Sequence, residues 1–330
     1  CFMVAREKTA QPARYDVFNG DADGICSLHQ LRLAEPVPDA VLVTGVKRDI
    51  ALLRRIEEVG NSLVTVLDIS MHVNNASLRE LLDRNNEVVY IDHHYAGDIP
   101  DSPLLTAYIE PQPDRCTSLI VDALLDGKYR LWAICAAFGD NLHPVAASAA
   151  SELSLSAEQT AKLREIGELL NYNGYGAQLE DLYFSPDYLY SAVRKYRDPF
   201  DFSEESHTLK TLKTGYENDM SLALEQSVFA RNGDNRVYRF PDSPWSRRVS
   251  GVFANHKARE NPAGAHAMIT ENGDGSLRIS VRAPIRDKRG ADTLCLSFPS
   301  GGGRAAAAGI NALPEDMLGE FIDRFNATYE

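Results

Sequence analysis

The apolar run Val88-Val89-Tyr90-Ile91 ends in one carboxylate and two adjacent imidazoles, Asp92, His93 and His94. Comparable runs end in further acidic residues. "YDVF" (15–18) leads into Asn19-Gly20-Asp21-Ala22-Asp23-Gly24, "SLVTVLDIS" (62–70) carries Asp68, and "AAFGDN" carries Asp140. Carboxylates joined by one or two imidazoles form a ligand set suited to Mn²⁺ or Mg²⁺. If five carboxylates converge, their repulsion requires cations to neutralise it. The chemistry open to such a group is therefore metal-assisted.

Each fragment alone has a plainer explanation. "NGDADG" is more often a turn than a site. It also nearly matches a calcium loop, but the twelfth position is Gln30, which cannot supply a bidentate carboxylate, and the loop follows a strand. Calcium is rejected. Asp68 alone could cap a helix, and a lone histidine at a strand end is usually a hydrogen-bonded edge residue. The order and spacing of the set carry the argument.

The elements that must position these residues alternate along the first half. Strand-like "YDVF", "AVLVTG" (40–45), "SLVTVLDIS" and "EVVYIDHH" (87–94) are separated by helical "ICSLHQLRLA", "IALLRRIEEV" and "NNASLRELLDRN". This rhythm predicts βαβ units and a parallel, Rossmann-like sheet, with near-continuous apolar strands fitting a sheet covered on both faces. Ligands of such sheets bind outside the carboxyl ends of the strands, and "AAFGDN" is placed at that edge with the strand ends. A helix beginning near Thr117 follows, residues 142–200 are mainly helical, and 207–230 reads as one long amphipathic helix. From Asn232 turns punctuate short strands such as "HAMIT" and "LRISVRAP", with "NGDG" (272–275) as a hairpin signal, and "EDMLGEFIDRFN" closes the chain as a helix.

The fold class expected is α/β: a parallel-sheet N-terminal domain, a smaller α/β C-terminal domain, and the active site in the cleft between. The boundaries expected are a tail over 1–14, a metal-binding catalytic domain over 15–202, a linker helix over 203–230 and a substrate-binding domain over 231–330. At 330 residues two domains are the natural division. A composition of 44% hydrophobic and 25% charged residues excludes a disordered chain. No apolar run approaches a membrane span, and no signal-peptide pattern opens the chain. Five cysteines (Cys1, Cys26, Cys116, Cys135, Cys295) lack CxxC spacing, which argues against a zinc-thiolate or disulfide scaffold and for a reducing cytoplasm.

The net charge of −13 is uneven: residues 231–330 hold 14 Lys/Arg against 12 Asp/Glu, and residues 1–230 hold 20 against 35. An acidic front with a basic back suits metals opposite an anionic substrate. It is too weak a basic surface for tracking long nucleic acid.

"GDADG", "VLDIS", "YIDHH" and "FGDN", in that order, resemble the four motifs of the DHH phosphoesterase superfamily. "DRCTSLIVDALL" resembles the segment that follows the DHH motif, and "NYNGYG" resembles a loop past the fourth motif. "SFPSGGGRAAAAGI" is similar to the GGGH-x-x-AAG signature of the associated substrate-binding domain. The likeness spans about residues 15 to 312 and includes nanoRNase, RecJ-like and cyclic-dinucleotide phosphodiesterase relatives.

The resemblance implies a dinuclear centre, usually with two Mn²⁺ (Mg²⁺ as the alternative). Asp21 would bind one metal and Asp23 the other, Asp68 would bridge them, and His93 and Asp140 would complete the second site. Asp92 would orient the histidines, and His94 would face the substrate phosphate or leaving group. Gly301, Gly302 and Gly303 would bring backbone amides to a phosphate. A bridging hydroxide would attack phosphorus in line, with His94 protonating or stabilising the leaving oxygen.

Two departures stand out. Many members carry a histidine just upstream of the first aspartate pair, where this chain has Val17, Phe18, Asn19 and Gly20; Asn19 could substitute weakly, so the first metal would be held less tightly. His29 and His72 are distant candidates for that role. Arg304 stands where the glycine signature normally has histidine, which would keep a phosphate grip but lose acid–base chemistry, and Arg282 is a second candidate anion contact or else a solvated strand residue. The expected function is a metal-dependent phosphodiesterase acting on short oligonucleotides, linear or cyclic dinucleotides, or 3′-phosphoadenosine phosphate. RecJ-like exonuclease action, polyphosphate cleavage and a catalytically weakened nucleotide sensor are the alternatives. No membrane partner is expected; the family's frequent homodimers leave the oligomeric state open.

Overall fold

The computed structural model describes residues 12–330, so nearly all of the expected tail lies outside the described residues. Two compact units emerge. One runs up to Gly174 and resumes over Phe184–Leu209; the other comprises Tyr175–Tyr183 and Lys210–Glu330.

In the first unit, β1 (Arg14–Phe18), α1 (Ala22–Ala34), β2 (Val41–Val43), β3 (Leu63–Leu67), α2 (Met71–Asp83), β4 (Glu87–Asp92) and β5 (Leu105–Ile109) come first. Helices follow: α3 (Thr117–Leu124), α4 (Arg130–Gly139), α5 (His143–Glu152), α6 (Ala157–Gly174), α7 (Pro186–Val193) and α8 (Pro199–Glu205). The sheet has the order β2-β1-β3-β4-β5, and every pairing is parallel. The α/β rhythm thus gives the parallel sheet it predicts.

Several local expectations differ. The stretch "IALLRRIEEV" forms only a 3₁₀ turn, Leu52–Arg55, because the Asn74 side chain accepts from the Leu53 amide (3.2 Å) and donates to the Ile50 carbonyl (2.6 Å). Those contacts hold the backbone in a turn. The strand β5 has no counterpart among the expected strands, because its alternating, half-exposed "LTAYI" carries no long apolar run. Burial on both faces holds only toward the carboxyl ends: Val89 in β4 is exposed, whereas Tyr90, Ile91 and Asp92 are buried. Asp140 is delivered by no strand; it is the C-cap of α4.

His29, on α1, is buried, donates from Nε2 to the Tyr196 carbonyl (2.8 Å) and meets Trp132 edge-on. Burial holds its pKa down to about 4. His266 of the second unit is likewise held down to about 4, by burial first and then by Arg236 and Lys257. A depressed folded pKa means stability present above the ordinary value near 6.5 and lost as pH falls toward 4. The expected result is a urea midpoint that declines between pH 7 and 5, at up to about 3 kcal/mol per histidine over the full window. His29→Gln, which keeps an N–H donor, should flatten that slope; an unchanged slope overturns the assignment.

Beyond Tyr175–Tyr183, the second unit resumes inside α9 (His207–Leu224) and continues with β6 (Val228–Asn232), β7 (Asn235–Phe240), α10 (Pro244–Glu260), β8 (His266–Glu271) and β9 (Leu277–Arg282). It closes with α11 (Ala291–Leu296), β10 (Gly301–Arg304), β11 (Ala307–Leu313) and α12 (Leu318–Thr328). The helix expected over 207–230 stops at Leu224, because Val228–Asn232 pairs with β7 instead. The sheet is mixed, in the order β10-β11-β9-β8-β7-β6, with β7 and β8 parallel. The "NGDG" turn does join β8 to β9, with the Gly275 amide donating to the Asn272 carbonyl (3.0 Å). Phe298, Phe321 and Phe325 anchor the core beneath α12.

Candidate metal centre

The carboxyl edge of the parallel sheet gathers the acidic residues. Beyond β1, Asp21 caps α1: its Oδ1 accepts the amides of Asp23 (3.0 Å) and Gly24 (3.1 Å). Asp23 reaches across to the start of α3, where its two oxygens accept the amides of Thr117 and Ser118, each at 2.7 Å. A helix N-terminus is a favourable place for an anion, so α3 fixes this carboxylate without neutralising it. Asp68 ends β3 with φ 59°, the left-handed conformation that costs most side chains about 1–2 kcal/mol and that aspartate tolerates. Its Oδ1 accepts from the Thr117 hydroxyl (3.1 Å).

His93 Nε2 lies 3.5 Å from Asp68 Oδ1, 3.9 Å from Asp140 Oδ2 and 4.0 Å from Asp23 Oδ2. Those separations are too long for hydrogen bonds. They match donors around one cation, since ligands bonded at about 2.1 Å stand roughly 3–4 Å apart. Three carboxylates and an imidazole therefore fit a divalent ion. Asp68, His93 and His94 each offer a ligand atom within 4.8 Å of the others.

The electrostatics agree. Burial pushes Asp23 above the usual carboxylate range and Asp68 well above it, with neighbouring carboxylates adding to the effect. A cation removes that penalty. His94 Nδ1 is 2.7 Å from Asp92 Oδ1, and Asp92 is fully buried with Oδ2 lacking a hydrogen-bond partner among the described residues. Burial disfavours charge on His94, but the Asp92 hydrogen bond and the charges of Asp92, Asp23 and Asp140 outweigh it, so its pKa is raised.

Lys47 belongs to the same cluster and was not anticipated. Its ammonium donates to Asp21 Oδ2 and to Asn171 Oδ1 (3.0 Å), and stands 3.5 Å from Asp140 Oδ1. Lys47 outweighs the burial of Asp21, whose pKa falls below the usual range. A single lysine beyond a short strand carries no motif. The available signal was that β2 points its carboxyl end at the same edge as β1 and β3. Asn19 is buried beside it and donates to the Lys47 carbonyl (3.2 Å), while its Oδ1 has no hydrogen-bond partner among the described residues. His29 bonds elsewhere, and His72 is exposed against Tyr95, so neither joins the cluster. "NYNGYG" is not a free loop: it is helical through Gly174, and Asn173 bonds both the amide and carbonyl of Phe184.

The remaining expected residues lie in the second unit. Gly301 to Arg304 form β10, paired with β11. A Cβ at Gly303 (φ 140°) would stand 2.4 Å from Ala308 Cα, and one at Gly301 would stand 1.7 Å from the Cys295 carbonyl oxygen. Both glycines are thus required by packing. Gly302 faces open space and Arg304 is exposed. Arg282 is half-buried, donating to Asn255 Oδ1 (2.7 Å).

No protein-family model and no curated protein matches the sequence. Solved structures do. The DHH domain of a member of the s1p family of ribosomal proteins is similar at a TM-score of 0.60 and 14% identity, over 96% of this chain and 86% of that one. The exonuclease RecJ bound to manganese is similar at 0.56 and 19%, over 96% and 90%. The pGpG-specific phosphodiesterase PggH from Vibrio cholerae is similar at 0.52 and 13%, over 96% and 99%. At these identities the likeness is one of fold: a two-domain α/β fold of the DHH type.

Proposed function

From a chain with the fold of DHH-domain proteins, we propose a divalent-metal-dependent phosphodiesterase that hydrolyses short nucleotide substrates. The observation that carries this reading is His93 Nε2 standing 3.5–4.0 Å from oxygens of Asp68, Asp140 and Asp23. Support also comes from the similar structures, which include an exonuclease bound to manganese and a phosphodiesterase of a dinucleotide. Among the described residues no helix is long and apolar enough to cross a membrane.

A bound Mn²⁺ or Mg²⁺ supplies Lewis acidity toward a phosphoryl oxygen and lowers the pKa of a coordinated water. Asp68, His93, Asp23 and Asp140 would hold it. The chain's own residues do the rest. Asp92 accepts from Nδ1 of His94, which leaves Nε2 to carry the second proton of the imidazolium. A raised pKa favours the imidazolium, the form that can donate this proton to a leaving oxygen. Thr117 and the α3 amides fix Asp68 and Asp23, so the ligands are set before substrate arrives. For phosphate binding we assign Gly302 and Arg304, with Arg282 as a supporting cation; the glycine hairpin is open at Gly302.

The test is a labelled panel: two- to five-residue oligoribonucleotides, linear and cyclic dinucleotides, 3′-phosphoadenosine phosphate, long single-stranded DNA and polyphosphate. The expected outcome is Mn²⁺-dependent mononucleotide release from the short nucleotides. Degradation confined to long DNA, or phosphate release from polyphosphate alone, would replace the substrate class. No turnover of any member with Mn²⁺ or Mg²⁺ would overturn the enzymatic reading.

A further inference from the structure

The expected pair of metals meets an obstacle at Asp21. Its Oδ1 is taken by the amides of Asp23 and Gly24, and its Oδ2 by the Lys47 ammonium. Two other side-chain oxygens face that ammonium: Asn171 Oδ1 at 3.0 Å and Asp140 Oδ1 at 3.5 Å. An ammonium has three donors and no acceptor; here it donates to Asp21 and Asn171 and stands in ion-pair range of Asp140. The lysine is held from its backbone as well. Its amide donates to the Gly174 carbonyl at the end of α6 (3.0 Å), and its carbonyl accepts from Asn19 (3.2 Å). The same Asn19 occupies the stretch where the upstream histidine ligand is missing.

We propose that Lys47 is a built-in cation standing in for the first metal, so that the centre binds a single divalent ion at Asp68, His93, Asp23 and Asp140. This rests on the phosphodiesterase reading only in taking that cluster as a metal site. The charges are consistent. Lys47 compensates Asp21 and shares Asp140, while the carboxylates around His93 are left to a divalent ion. A point charge on a four-carbon stem cannot clamp a substrate oxygen as a metal does, but it can attract an anionic group, and its side chain retains 27% exposure.

The experiment counts Mn²⁺ on the metal-stripped full chain by calorimetric titration, elemental analysis and low-temperature EPR. The expected result is one ion per chain with the six-line spectrum of isolated Mn²⁺. Lys47→Ala, which removes the ammonium from Asp21 Oδ2 and Asn171 Oδ1, should bind two ions and show the broadened multiline signal of a coupled pair. Lys47→Arg should remain at one. Two ions in the unaltered chain would overturn the proposal while leaving the phosphodiesterase reading intact, and that count stands even if Lys47→Ala does not fold. One ion in a folded Lys47→Ala would also overturn it, because the lysine would then not be what excludes the second. No binding in any form would overturn the metal centre itself.

Discussion

Asp68→Asn is expected to lose metal affinity and metal-dependent turnover by more than about 100-fold while raising the thermal stability of the metal-free protein. The first effect follows from position. Asp68 Oδ1 is the carboxylate oxygen nearest His93 Nε2, at 3.5 Å, and Thr117 fixes it with a 3.1 Å hydrogen bond. Removing a residue that merely orients a metal ligand typically costs 10- to 100-fold, so loss of a ligand charge should exceed about 100-fold. The second effect has the opposite sign. Without a cation Asp68 is buried, and burial followed by the charges of Asp23, Asp21, Asp140 and Asp92 drives its pKa well above the ordinary range. Replacing the carboxylate with an amide removes that repulsion.

Asparagine is the right substitution because it tolerates the left-handed backbone at φ 59°. Asp68→Ala should show the same loss of metal binding with a smaller gain in stability, because alanine pays the left-handed strain. The measurement is a thermal melt with and without Mn²⁺, read beside the turnover assay. A variant stabilised by Mn²⁺ as strongly as the unaltered chain would show that Asp68 is not a ligand.

Why these residues could be read from sequence, and others could not, is a matter of locality. Asp21, Asp23, Asp68, Asp92 and His93 each follow or end a strand, and parallel strands bring their carboxyl ends to one edge. Asp140 was legible as a motif but not as a structure, since "AAFGDN" is apolar enough to read as a strand end and closes a helix instead. Lys47 carries no pattern and Asn171 only opens "NYNGYG"; the roles of both arise from contacts spanning 26 and 124 residues. Thr117 lay in a recognised segment, yet its value is the pair of amides that α3 directs at Asp23, which depends on chain direction and not on side-chain type. In the second unit the alternation of "LRISVRAP" marked β9, whereas the 17-residue α10 went unmarked because its polar stretches and paired arginines mask the buried face.

Those paired arginines set up the second large effect. Arg248→Met is expected to destabilise the second unit by about 3–5 kcal/mol, the usual cost of removing one partner from a buried ion pair. The Arg248 guanidinium bonds Asp219 bidentately, Nε to Oδ2 at 2.7 Å and Nη2 to Oδ1 at 3.1 Å, and both side chains are buried. It also donates to the Asp181 carbonyl and stacks over Tyr183, with 4.4 Å to the ring centroid. Its neighbour Arg247 grips the Asp181 carboxylate through two nitrogens, at 2.9 and 2.6 Å. Together the two arginines bind Tyr175–Tyr183, a segment flanked on both sides by first-unit sequence, into the second unit. No local pattern announces this, because Asp181 and Arg248 are 67 residues apart. Met keeps the stem's packing but leaves the Asp219 carboxylate buried and without its guanidinium. Calorimetry should show the transition of the second unit falling by on the order of 10 °C. Arg248→Met combined with Asp219→Leu removes both charges and should recover much of the loss, since a buried pair exchanged for apolar groups is often neutral. A double variant no more stable than Arg248→Met alone would mean that the cost lies in the lost contacts to Asp181 and Tyr183 and not in an uncompensated carboxylate.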